Sequence, residues 1–284
     1  MRRTDSKRKL SSYRRMHRQR RQRRRIAVVC VLGSIAAAGC IAGAILLDKL
    51  AGADNPSEKV EQVMKIMAQE TPAPTPTFAP TPKTSEVSST PIVLVNWENP
   101  IQGEPGDLVP VAEVCDIRYV DLLRGDLLIG REAGLAANRM FQAASEEGVG
   151  RFLINSAYRT VEAQEKIWNA RIEKNPDYGQ DPYVSPVKAM PGNMSEHATG
   201  LALDILSATH NRADDSFGDT EEAIWLAKNA HKFGFIQRYP EDKENVTGVI
   251  YEPWHYRYVG VGAATEIYEK GLCLEEYLEG KGNL

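Results

Sequence analysis

Apolar positions follow three different patterns along the 284 residues. Residues 26–47, IAVVCVLGSIAAAGCIAGAILL, carry no charge in 22 positions. As a helix that run spans about 33 Å, the thickness of a bilayer core. A water-facing helix of that length shows a polar stripe, and this one has none. Residues 54–70 then place Val60, Val63, Met64 and Met67 at helical spacing behind Ser57, a short amphipathic segment that is marginal in isolation. In residues 71–91, six prolines alternate with Thr and Ser. Such a composition builds no core. It favours polyproline II, a disordered but extended stalk reaching at most ~65 Å.

From residue 92 the pattern becomes that of a folded domain. Strands are predicted at Ile92–Val95, Arg151–Asn155, Leu201–Ile205, Phe235–Tyr239, Val249–Tyr251 and Tyr256–Val259. Residues 131–147 predict a helix with Leu135, Met140 and Phe141 inward and Gly148 just past its end. A second helix starts after Thr160 and turns Val161, Trp168 and Ile172 to one side. A third is opened by Asp219 with Glu222 in capping-box spacing and ends at Gly234. A last one covers Ala263–Lys270. Strands and helices that do not alternate strictly predict an α+β domain, not a doubly wound one.

Charge sharpens this division. Residues 1–25 hold thirteen Lys or Arg and one acid, whereas the rest of the chain holds 37 acids and 22 bases. Cations directly before an apolar span place the N-terminus in the cytoplasm and everything after residue 48 outside. The expected organisation is a basic cytoplasmic tail (1–25), a single transmembrane anchor (26–48), a juxtamembrane helix and Pro/Thr-rich linker (49–91) and an extracytoplasmic domain (92–284). Cleavage at the small residues 51–53 is the alternative to an anchor. The acidic domain argues against a nucleic-acid partner. Cys115 and Cys273 fall in the exported part, where they are compatible with a disulfide or with two separate buried thiols.

The candidate chemistry lies in three stretches. In SEHATGLALDI (195–205) the strand reading puts Leu201, Leu203 and Ile205 on one face and Ala202 and Asp204 on the other. A carboxylate in such a strand is costly unless it is paired or metal-bound. Gly200 allows a turn that swings His197 back toward Asp204. In EPWH (252–255), Pro253 forbids an ordinary helix or central strand, so Glu252 and His255 sit on a bend. Taken singly, these are equally a solvent-facing Asp, a loop His, a surface acid and a core His. Together, His197, Asp204 and His255 form an N₂O ligand set with a free fourth position, the pattern of catalytic zinc, and Glu252 is the spare carboxylate. In SAYRT (156–160), Arg159 stands at a strand-to-helix junction and is suited to a carbonyl or carboxylate, or else to a surface ion pair.

These stretches resemble the S-x-H-x-x-G-x-A-x-D, E-x-W-H and S-G-Y-R-S segments of VanY-like D-alanyl-D-alanine carboxypeptidases. Ala157 replaces the usual Gly and Thr160 the usual Ser. The resemblance covers roughly 108–280 and implies an antiparallel sheet with flanking helices and one Zn²⁺. It implies His197, Asp204 and His255 as ligands, Glu252 as general base and Arg159 at the oxyanion. Ser156, Gln164 and Ser195 fall near the substrate. The implied activity is release of C-terminal D-alanine from peptidoglycan stem peptides. The alternatives are an L,D-carboxypeptidase acting on tetrapeptide stems and a non-catalytic module that binds wall peptides.

Overall fold

The structure, a computed structural model, describes residues 92–282. The expected tail, anchor, juxtamembrane helix and linker (1–91) lie outside the described residues. Among those described, no helix is long and apolar enough to cross a membrane.

The order is β1 (Leu108–Pro110), α1 (Val111–Val114), β2 (Val120–Leu122), β3 (Leu128–Gly130), α2 (Arg131–Glu146), β4 (Phe152–Ser156), α3 (Val161–Lys174), β5 (Ala202–Ser207), α4 (Glu221–Asn229), β6 (Phe235–Gln237), α5 (Glu244–Thr247), β7 (His255–Tyr258), α6 (Val261–Lys270) and α7 (Leu274–Gly280). Strands β1 and β3 form a small antiparallel pair. The main sheet has the order β2-β4-β5-β7-β6. This is the expected α+β class, with one correction. The sheet is mixed, because β2 runs parallel to β4. The chain between them includes the 16-residue α2, and parallel neighbours need such a crossover.

Helix α2 forms because its sequence is rich in alanine and holds no β-branched residue. Ala133, Ala136, Ala137, Met140, Phe141 and Ala144 recur at helical spacing and are buried. They pack with Phe152 and Ile154 of β4 and Val120 of β2 in the main core. Gly134 permits this approach, since a Cβ there would meet Val114 Cγ2 at 2.4 Å. Leu135, expected inward, is exposed, because it points away from the stripe its neighbours make.

Other expectations need correction too. Residues 92–95 are not a strand. They lie along the domain, with Ile92 and Leu94 on the small cluster of α6 and α7. Val161, Trp168 and Ile172 of α3 are only half-buried, and Gln164 is its one buried residue, so α3 is a surface helix that turns a polar group inward. Thr220, not Asp219, caps α4, accepting from the Ala223 N–H at 3.2 Å. Strand β6 stops at Gln237, short of Tyr239, before Pro240, which has no N–H to donate. Residues 249–251 contribute only an isolated bridge, Val187 to Val249. Cys115 and Cys273 are both free and buried, and burial pushes each thiol up to about 12.

Candidate metal centre and active site

The site is built on one row across the sheet. Asp204 of β5 stands opposite Ser156 of β4 and opposite His255 of β7. Residues opposed across antiparallel strands share a face. Reaching this register takes a bulge. Ile154 pairs with Ile205 and Ser156 with Asp204, which leaves Asn155 as the extra residue. The bulge lets Phe152 and Ile154 serve the core while the end of the same strand serves the site.

His197 arrives from a single 3₁₀ turn, Glu196–Thr199, which ends at Gly200 with φ 70°. Only glycine adopts this conformation without strain, and a Cβ would also lie 2.7 Å from Leu108 Cδ2. The turn brings His197 Nε2 within 3.3 Å of Asp204 Oδ2. Its Nδ1 lies 2.6 Å from the Ala157 carbonyl, which can only accept, so Nδ1 carries the proton and Nε2 keeps its lone pair. His255 Nδ1 lies 3.0 Å from Asp204 Oδ1. The two rings meet edge-on at 4.9 Å. One donor atom from each of His197, Asp204 and His255 lies within 4.8 Å of the others, and all three residues are buried. Two imidazoles and a carboxylate converging in a buried space suit a borderline cation such as zinc.

Pro253 produces the expected bend. The His255 N–H donates to the Glu252 carbonyl at 3.2 Å, closing a turn immediately before β7. Glu252 is buried beside this turn. Burial first, then the Asp204 charge, pushes its carboxyl up to about 8, against the pull of His255, Lys188 and Arg159. Burial pulls the His255 imidazole down, but its bonds to Asp204 and Glu196 outweigh this and raise it to about 9. Burial lowers His197. Asp204, though buried, is held well below the usual carboxylate range by the two histidines. A proton and a cation compete for the same His255 nitrogen, so cation binding falls with pH.

Arg159 is also at the site. Its guanidinium donates to Ser156 Oγ at 2.7 Å and to the Gln164 side-chain oxygen, and Nη2 lies 3.8 Å from Asp204 Oδ2. Gln164 is fixed in turn by donating to the Met190 carbonyl at 2.7 Å. Ser156, Arg159 and Gln164 therefore form one hydrogen-bonded unit beside the histidines. Ser195 is buried just ahead of the His197 turn but is not a member of that unit. The two departures from the resembled motifs are accommodated. Ala157 supplies the carbonyl for His197, and Thr160 caps α3 by accepting from the Ala163 N–H at 3.1 Å.

Sequence reasoning missed Lys188 and a buried ionic cluster. The Lys188 ammonium lies 4.6 Å above the Trp254 ring, on the segment that carries Glu252. The cluster consists of Glu196, Arg238, Arg257 and Glu275. Only the position of Glu196 next to His197 hinted at it.

The family profile described as VanY, D-alanyl-D-alanine carboxypeptidase, matches residues 127–261. A D-alanyl-D-alanine carboxypeptidase of Enterococcus faecalis is 39% identical over 196 residues, covering 66% of this chain and 65% of that protein, so the chain spans just under two thirds of that relative. The solved structure of VanYB in complex with D-alanine-D-alanine is 37% identical, with a TM-score of 0.53, over 66% of this chain and 96% of that one. The structure of the LdcB LD-carboxypeptidase is 36% identical, with a TM-score of 0.57, over 66% of this chain and 84% of that one.

Proposed function

This chain belongs to the VanY family of D-alanyl-D-alanine carboxypeptidases, and from that premise we propose that it is a zinc D,D-carboxypeptidase that releases C-terminal D-alanine from peptidoglycan stem peptides. The observation that carries the proposal is the convergence of His197, Asp204 and His255 within 4.8 Å, with buried Glu252 alongside. In this reading those three residues hold the zinc. A zinc ion there supplies Lewis acidity and makes a water molecule acidic enough to attack near neutral pH.

The chain's own groups do the rest. Glu252 accepts a proton from the attacking water and delivers it to the amine of the departing D-alanine, as a new C–O bond forms and the C–N bond breaks. Burial raises that carboxyl in the metal-free site, which favours its holding the proton between the two halves of that exchange. Arg159, aimed by Ser156 and Gln164, donates to the carbonyl oxygen as charge gathers on it. Gln164 and Ser156 act through Arg159, and the Ser195 carbonyl accepts from the Ala198 N–H at 3.1 Å in the His197 turn.

The likeness to the LdcB LD-carboxypeptidase favours a second reading, cleavage of tetrapeptide stems. Incubating the full-length chain with defined tri-, tetra- and pentapeptide stems, with and without chelator, separates the two. Chelator-sensitive release of D-alanine from the pentapeptide is expected. Release from the tetrapeptide alone overturns the D,D assignment, and chelator-resistant release overturns the metal.

We further propose that residues 26–48 anchor the protein in the cell membrane with its N-terminus cytoplasmic, and that 49–91 hold the catalytic domain toward the wall. The charge-free 22-residue run behind thirteen cations supports this. Protease added to spheroplasts should degrade the domain while the N-terminal tail stays protected. Recovery of the whole chain in the soluble fraction overturns the anchor.

A further inference from the structure

Two buried polar atoms behind the site face each other. His255 turns Nδ1 toward Asp204, and its Nε2 lies 3.5 Å from Glu196 Oε2. Neither Nε2 nor Oε2 has another partner. Glu196 is wholly buried, an expensive place for a carboxylate. Its second oxygen, Oε1, is held by Arg238 Nε at 2.8 Å and lies 3.1 Å from Arg257 Nη1. Those arginines are themselves anchored. Arg238 Nη1 donates to Glu275 of α7 at 2.8 Å, and Asn96 donates to the same carboxylate at 3.2 Å. Arg257 Nη2 donates to the Val93 carbonyl at 2.9 Å. Two arginines thus fix Glu196 from behind and leave its front oxygen aimed at one ring nitrogen.

We propose that Glu196 is a positioning residue of the metal centre, accepting the Nε2–H of His255 so that the Nδ1 lone pair is presented to the cation. The inference rests on the metal-site reading above. His197 uses the reverse arrangement, with Nδ1–H held by the Ala157 carbonyl and Nε2 presented. The two imidazoles therefore bind through opposite nitrogens, and each is oriented by the acceptor behind it. Removing such an acceptor weakens a metal centre 10- to 100-fold as a rule.

The test uses the full-length chain and zinc itself, titrated against a competing chelator. Glu196→Gln should weaken zinc binding ~10- to 100-fold. Glu275→Gln unpairs the same Arg238 without touching His255, so it should lower the melting temperature and leave zinc affinity unchanged. Equal losses in both variants, or no loss in Glu196→Gln, would overturn the proposal. Ring-nitrogen NMR of the zinc-loaded wild type needs no variant to fold. It should show the His255 proton on Nε2 and the His197 proton on Nδ1. A His255 proton on Nδ1 overturns the role of Glu196 alone, whereas a wild type that binds no zinc overturns the metal reading as well.

Discussion

The main sheet buries its two halves by different means. On the β2–β4 side, Phe152 stacks obliquely on Phe141 of α2 at 5.3 Å and meets Trp225 of α4 at 6.4 Å. On the β7–β6 side, two of the largest fully buried side chains are Arg238 and Arg257, held by Glu196 and Glu275. The first half gains stability simply by leaving water. The second must first offset the desolvation of four charges, and hydrophobic residues of similar volume commonly do at least as well for stability alone. What the ionic half gains is direction. Each carboxylate and guanidinium has a fixed partner, and the chain of partners ends at His255. The row Ser156–Asp204–His255 lies on the seam between the two halves.

The comparison can be broken in graded steps. Glu252→Gln should reduce D-alanine release ~10²- to 10⁴-fold, read from the free amino acid, while zinc content stays constant. Surviving activity would move the base elsewhere. In the ionic half, Arg238→Met leaves Glu196 and Glu275 buried without their shared cation and should cost about 3–5 kcal/mol in urea unfolding. In the apolar half, Ile154→Val should cost only about 0.5–1.5 kcal/mol and leave zinc affinity unchanged. If the two costs were equal, the contrast between the halves would be lost.

A further effect is on pH and sharpens the seam itself. In the chelated chain, Glu252 takes up its proton at about 8, against an ordinary value of 4.5. Between those values the folded state binds more protons than the unfolded state, so stability falls as pH rises through that window. His255, raised from 6.5 to about 9, has the same sign. Its stabilising contribution is complete below 6.5 and is lost as pH rises through 9. Glu252→Gln should flatten the lower part of this decline and raise the melting temperature at pH 8 by on the order of 5 °C. A slope that is unchanged in the variant would mean that Glu252 is not the group responsible.

Much of the apolar half could be read from sequence because its signals are local. The stripe of α2 and the alternation of Phe152, Leu153 and Ile154 repeat within a few residues. The three-residue strands β1, β2 and β3 gave no such signal, because so few residues carry no period. The site was partly legible. Gly200 announced the turn under His197 and Pro253 the bend under His255, since each forces a backbone conformation whatever lies around it. The ionic half was not legible. Glu196 and Arg238 are 42 positions apart, and neither differs in sequence from a solvated surface residue until the fold brings them together. Leu135 shows the converse, a hydrophobe that satisfies the helical period loosely and ends in water.

One inserted residue has a consequence for how this active site is tuned. Asn155 takes a place in β4 without a partner in β5, and everything after it is displaced by one step along the strand. A regular ladder through the same residues would retain every ligand and every arginine. Yet Asn155 would then stand opposite Asp204, and Ser156, paired with Leu203, would be carried with the guanidinium it steadies toward the opposite surface of the sheet. Strand register, as much as residue identity, governs where the Arg159 guanidinium stands.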